Sequence, residues 1–455
     1  AFRARTLSPV ELMGAVIARA EAVEPSLNAL PYRFFDAAMA EAKQAETRYG
    51  DGTARPLEGL PIAIKASSDI EGQPDTRGSL ALKEGIATRT ATVNARMMAA
   101  GGIVHARSAT PEFSCTTFCH SRLWGVTRNP WDLGVTPGGS SGGAGAALAA
   151  GMATLATGSD IGGSIRVPAS CCGVVGVKPP YGRVPGDAPF NLDPFCHNGP
   201  MARTVGDAAL MQNLMAGPDG RDIAALPPAP LPESFAPVQG MRVALSLDLG
   251  LFALEEDVRA NTLAAAEVFR GLGAEVEEIS LGWGPDILEG AARHLIHIFG
   301  ASMAPMLARA DDLTTYARAF AEAGTQSRPS DLLFAMDAAA RAYGSFAAAM
   351  EGFDVLLCPT TARASVPADL DPLADRVEVA GQEVHPVLGW VMTTPFNMLS
   401  RCPVISMPSG LSGGVPTGVQ IVGHPFRDLD VFRAAAGFEA ASGLGFRAAG
   451  WRPAL

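Results

Sequence analysis

Two glycine-framed serine loops and one lysine are the residues of this chain best suited to chemistry. The first loop is Thr136-Pro137-Gly138-Gly139-Ser140-Ser141-Gly142-Gly143-Ala144-Gly145, which opens onto a run of small residues of helical character. Glycine-rich turns ahead of helices gather backbone N–H groups that can hold an anion. A phosphate loop would need a closing Gly-Lys-Ser/Thr, which is absent, and no acidic residue follows at a spacing that serves a ribose. Phosphate binding is therefore set aside.

Ser140 also completes Gly-x-Ser-x-Gly through Gly138–Gly142, the nucleophile elbow of the α/β-hydrolases. An elbow requires an apolar strand before its serine, and residues 131–139 (WDLGVTPGG) make a poor one. Five histidines lie downstream (His197, His294, His297, His385 and His424), none in a telling context. His294-x-x-His297 on a helix reads as a core or surface pair rather than a metal site, because no acidic ligand stands beside it. The second loop, Gly158-Ser159-Asp160-Ile161-Gly162-Gly163-Ser164-Ile165-Arg166, places a serine after two glycines and a short apolar segment. Such a turn lets consecutive N–H groups converge on one point, as an oxyanion hole beside a nucleophile requires. Upstream, Leu60–Ile64 is an apolar run ending at Lys65. A serine hydroxyl needs a base within hydrogen-bond reach. A lysine can be that base only if burial brings its pKa down from ~10.4 towards neutrality. The plain alternatives are a strand-end lysine facing solvent for Lys65 and a helix N-cap for Ser140 or Ser141.

Taken together these motifs resemble the amidase signature family. The central match covers residues 128–180 nearly without interruption. Leu57–Lys65 (LEGLPIAIK), Gly199–Ala209 (GPMARTVGDAA), Phe353–Thr361 (FDVLLCPTT) and Gly418–Pro425 (GVQIVGHP) extend it over most of the chain. The resemblance implies one amidase signature domain over residues 1–455, an α/β/α fold with a mixed central sheet surrounded by helices. Its catalytic core would lie at about 57–210, with a variable, substrate-lining helical segment at about 285–351. It further implies a Ser-cisSer-Lys triad of Ser164 as nucleophile, Ser140 as the bridging serine in a cis peptide, and Lys65 as the base. The N–H groups of Ile161, Gly162, Gly163 and Ser164 would form the oxyanion hole. The activity implied is hydrolysis of a carboxylic amide through an acyl-enzyme, without metal or cofactor. A glutaminase subunit of a tRNA-dependent amidotransferase is the alternative within the family, and an esterase built on Ser140 and a histidine the alternative outside it. Two departures stand out: Ala66-Ser67-Ser68-Asp69 follows the lysine where the family has aspartate, and Ser400-Arg401-Cys402-Pro403 replaces a Gly-x-Pro. Arg401 could meet a substrate carboxylate, although a surface arginine is the commoner outcome. Residues 114–124 and 190–198, with Trp124, Phe190, Phe195 and Phe299, are candidate pocket walls that hint at an aryl or alkyl acyl group.

The elements that must position these residues are legible from pattern. Ser8-Pro9-Val10-Glu11 reads as a capping box opening a helix with Val10, Met13, Val16, Ile17 and Ala20 on one stripe. Strands are expected at 60–66, 103–106, 152–157, 241–247, 275–279, 355–358, 404–407 and 418–422. Helices are expected near 90–100, 142–150, 255–272 and 429–441. Such interleaving means α/β with a mostly parallel or mixed sheet. The proline-rich segment 218–238 is either a domain linker or a long surface crossing.

Composition narrows the partners. Lys+Arg number 35 against 46 Asp+Glu, a net charge of −11, and no basic cluster occurs, which argues against nucleic acid or an anionic membrane. No apolar run reaches the 18 or so residues that span a bilayer. The 50 glycines and 35 prolines, nearly a fifth of 455 residues, carry no collagen period, and 48% hydrophobic residues can build a large core. Seven cysteines without a C-x-x-C pair fit a reducing, cytoplasmic setting. A small-molecule amide is the expected partner; the assembly is open, with a homodimer as one option.

Overall fold

The computed structural model describes residues 1–455. Its frame is an eleven-stranded sheet. In chain order the strands are β1 (Tyr32–Arg33), β2 (Pro61–Lys65), β3 (Ile103–Ser108), β4 (Leu155–Asp160), β5 (Val175–Lys178) and β6 (His197–Ala202). The remainder are β7 (Arg242–Leu245), β8 (Glu275–Glu278), β9 (Val355–Pro359), β10 (Val404–Ser412) and β11 (Val415–Gly423). Across the sheet they run β1-β3-β2-β4-β6-β5-β10-β11-β9-β7-β8. Pairing is parallel around β2 and again from β9 through β7 to β8, and antiparallel from β4 through β6, β5, β10 and β11 to β9. The sheet is thus mixed, as expected, and helices flank it.

All five residues of β2 are buried. Parallel neighbours on both edges and helices over both faces explain why PIAIK reads as continuous apolar sequence rather than as an alternation. The first helix, α1 (Pro9–Leu27), starts at the expected capping box. Ser8 Oγ accepts from Glu11 N at 3.1 Å and Glu11 Oε2 accepts from Ser8 N at 2.7 Å. Met13, Val16 and Ala20 are buried beneath it, while Val10 and Ile17 sit half-buried on the flank. The strand expected at 418–422 begins earlier, because the hairpin turn at Gly413-Gly414 (φ 56° and 85°) folds β10 directly onto β11. Segment 218–238 is a surface crossing, since strands from both sides of it interleave in one sheet. The fold is a single α/β domain.

Two short helices flank the serine loops: α2 (Gly142–Ala149) and α3 (Arg166–Cys172). They enclose a compact core made largely of alanine, with Ala144, Ala147 and Ala169 fully buried. Small side chains let these helices close on β2 and β4, which brings their N-terminal loops to the carboxyl ends of those strands. Downstream, α4 (Asp286–His294) continues into a π-helical turn at Leu295–Gly300. Further on, α5 (Thr315–Gln326) and α6 (Pro329–Ala349) complete a helical wall beside the serine loops. Wide π turns are uncommon and gather at functional sites.

Candidate active site

Lys65 ends β2, and Ser159 and Asp160 end the adjacent β4. Both serine loops fold over these strand ends. Lys65 is 1% exposed, and its Nζ donates to Ser140 Oγ at 2.7 Å and to Ser159 Oγ at 3.0 Å. Burial pushes the Lys65 pKa down to about 7, against the opposing pull of the Asp160 charge. The Gly139–Ser140 peptide is cis. A Cβ at Gly139 would stand 2.3 Å from Phe118 O, so the backbone passes where no side chain fits.

Ser164 follows the Gly162-Gly163 turn and forms part of a cavity wall that also contains Ser140 and Ser159. Its carbonyl accepts from Ser141 N at 3.0 Å, tying the two loops together. Its hydroxyl makes no hydrogen bond within the protein. The amides of Ile161, Gly162 and Ser164 are likewise without protein acceptors. Gly163 departs from expectation: its N–H donates to Asp160 Oδ1 at 2.8 Å and is committed to that carboxylate. This glycine is required for space instead, with φ 119° and an added Cβ 1.9 Å from Thr393 Oγ1.

Asp160 is the anchor of the turn, and sequence reasoning missed it. It is fully buried and accepts from Arg166 Nε (3.0 Å) and Nη2 (2.9 Å), Asn397 Nδ2 (2.8 Å) and Ile165 N (3.2 Å). Burial alone would raise its pKa, but the Arg166 charge and the hydrogen bonds from Arg166 and Asn397 outweigh it and hold the carboxyl well below the usual range. Arg166 extends the web to Gln420 Oε1 (2.7 Å) and Thr393 O (3.0 Å), so its fully buried guanidinium braces the turn. Ser159, the second acceptor for Lys65, was also missed. Its one signal in the sequence is its place at the end of a strand expected beside that of Lys65.

Burial alone does not single out a base. Lys178 is equally buried and also lowered to about 7 by burial and the Arg166 charge, yet its Nζ donates to Cys402 O at 2.8 Å, away from both serines. No histidine bonds to Ser140 or Ser164. His294 meets Asp193 at 2.9 Å, His297 meets Ser327 at 2.8 Å, and His424 meets Phe353 O at 2.8 Å. Residues 131–139 form no strand before Ser140, so the elbow geometry is absent.

Two cavities meet at Ser164. One, of about 150 Å³, includes Ser67, Ser68 and Asp69 from the segment that departs from the family pattern. The other, of about 270 Å³, is bounded by the π turn and α5. Of the expected wall residues, Ser114–Thr117, Phe190, Asn191, Cys196, His197, Asn198 and Phe299 line these spaces. Phe195 is buried against His294, and Trp124 packs edge-on to Tyr32 away from the site. Arg401 lines neither cavity; it donates to Tyr181 O at 2.8 Å and lies over that ring.

Among known proteins, the model of the family described as Amidase matches residues 11–432. An acylamidase of Rhodococcus erythropolis is 34% identical, over 95% of this chain and 92% of that protein. A glutamyl-tRNA(Gln) amidotransferase subunit of Geotalea daltonii is 32% identical, over 96% of this chain and 95% of that protein. A crystal structure of a bacterial aryl acylamidase, an amidase signature enzyme, superposes with a TM-score of 0.89 at 30% identity, over 97% of this chain and 94% of that one. Sequence and fold agree from end to end, and the chain belongs to the amidase family as an amide-hydrolysing enzyme.

Proposed function

We propose that Ser164 is the nucleophile, Ser140 the proton relay and Lys65 the base of this hydrolysis. The observation that carries the reading is the 2.7 Å contact of Lys65 Nζ with Ser140 Oγ, made by a buried lysine brought to about 7. Neutral Lys65 accepts the Ser140 proton while Ser140 takes that of Ser164, whose oxygen attacks the amide carbonyl. The oxyanion rests on the free amides of Ile161, Gly162 and Ser164, each such donor contributing roughly 10²–10³ in rate. The C–N bond breaks as the amine takes the proton back from Ser140, and water then releases the acid from Ser164. All of these residues fall within 57–210, the proposed catalytic core, while the wall at 285–351 is proposed to set substrate choice. Ser164→Ala is expected to abolish amide hydrolysis and labelling by a fluorophosphonate. Labelling that persists in that variant would overturn the nucleophile assignment.

A second reading, the glutaminase component of a tRNA-dependent amidotransferase, is favoured by the similarity to the Geotalea protein. Against it stands the apolar cavity beside Ser164: with the amide nitrogen turned towards Ser140, the charged α-amino and α-carboxylate end of glutamine would fall in that cavity. Glutaminase activity dependent on an added partner protein would decide for it. A cytoplasmic setting is supported by seven unpaired cysteines. A homodimer is supported by the exposed Leu333 and Met336 on α6, and sedimentation measures it.

A further inference from the structure

The two cavities at Ser164 differ in chemistry and in which part of the catalytic machinery they reach. The smaller contains Ser140 and Ser159 together with charged and amide groups, among them Asp69, Arg77 and Asn191. Asp69 is ion-paired at long range, Oδ1 with Arg77 at 3.6 Å and Oδ2 with Arg89 at 3.7 Å, and its buried Oδ1 accepts no hydrogen bond. The larger is walled mainly by hydrocarbon: Leu295 and Ile296 of the π turn, Ala319, Phe320 and Ala323 of α5, and Leu388. Gly162 of the oxyanion turn belongs to this wall, and Ser140 does not.

A tetrahedral intermediate on Ser164 carries four groups: the serine oxygen, the oxyanion, the acyl substituent and the amine nitrogen. The nitrogen must face the group that returns its proton, which is Ser140. We infer that the smaller, polar cavity receives the leaving amine and that the larger, apolar cavity holds the acyl group. The substrates are then amides of apolar, aryl-sized acids with ammonia or a small polar amine. An apolar cavity of roughly 150 Å³ already takes a benzene ring. The 270 Å³ here accommodates a ring with a short alkyl tether. On the other side, Asp69 Oδ1 is an acceptor for an amine N–H. Hydrolysis consumes one water, delivering its oxygen to the acid and one proton to the amine. The inference rests on the roles proposed above for Ser164 and Ser140.

2-Phenylacetamide and acetanilide are constitutional isomers with the arms exchanged: an aryl acyl group with ammonia, and an acetyl group with aniline. The wild type is expected to cleave 2-phenylacetamide with kcat/KM at least about tenfold higher, although aniline is the better leaving group. Ala319→Phe, or Ala323→Phe as a second choice, narrows the apolar cavity. Either is expected to lower kcat/KM for 2-phenylacetamide by about tenfold while acetamide changes less than about threefold. Equal rates, preference for acetanilide or cleavage of neither isomer overturns the arm assignment, as does a variant that slows both acyl sizes alike. Ser164→Ala, assayed on the same amides, separates the two claims: retained cleavage there overturns the reaction assignment instead.

Discussion

At the scale of single residues, the site is governed by where charge is allowed. Lys65 is buried against two hydroxyls, and Asp160, the carboxylate whose charge bears on it most, is already held by Arg166. A lysine so placed loses water without gaining a counter-ion, and its neutral form is favoured. In the unfolded chain it stays protonated to ~10.4. Between about 7 and that value the unfolded state binds the extra proton, so stability rises with pH across this window. Below about 7 both states are protonated and the burial penalty is fully present. Replacing Lys65 by Met is therefore expected to shift stability in favour of the variant as pH falls from 9 to 7, measured by denaturant unfolding at each pH. A stability difference independent of pH would contradict the buried neutral lysine. In the wild type kcat/KM is expected to rise with pH around a midpoint near 7. That limb should vanish from the residual activity of Lys65→Ala.

At the scale of elements, strand ends and wide turns do the positioning. Parallel β2 and β4 deliver Lys65 and Ser159 side by side, and the small-residue helices α2 and α3 let both serine loops close on them. The π turn at 295–300 rotates Leu295, Ile296 and Phe299 towards Ser164. A π turn holds one residue more than an α-helical turn needs, so deleting Ile298 should restore α-helical phase and swing this wall by about 100°. The expected outcome is a loss of about tenfold or more in kcat/KM on amides with an aryl acyl group, and near wild-type turnover of acetamide. Retained aryl turnover would show that the turn does not shape the pocket. The capping box at α1 and the apolar run of β2 were readable because both are local patterns. The π turn was not, since its hydrogen-bond phase leaves no mark in residue order.

At the scale of the whole molecule, one mixed sheet joins the N-terminal and C-terminal halves. Strands β10 and β11, from late in the chain, sit between β5 and β9, so neither half owns a complete sheet. Unfolding is expected to be one cooperative transition, coincident by far-UV circular dichroism and tryptophan fluorescence. Two separated transitions would restore 218–238 as a domain linker.

Residue order alone established the family and the α/β class and brought forward Lys65, Ser140 and Ser164 as candidates, because glycine-framed loops and buried strands are contiguous in sequence. The expectation for Gly163 was incomplete: its N–H turns to Asp160, a carboxylate three residues away whose direction only the folded turn reveals. The bracing of that carboxylate by Arg166 and Asn397, the exclusion of Lys178 and the separation of Trp124 from the site were likewise decided in three dimensions. Two of those outcomes depend on contacts between segments more than 200 residues apart, Asp160 with Asn397 and Lys178 with Cys402. Spacing along the chain carries no information about such contacts. Tertiary structure also divided the space at Ser164 into a polar and an apolar cavity, since their walls converge from loops and helices that only packing brings together.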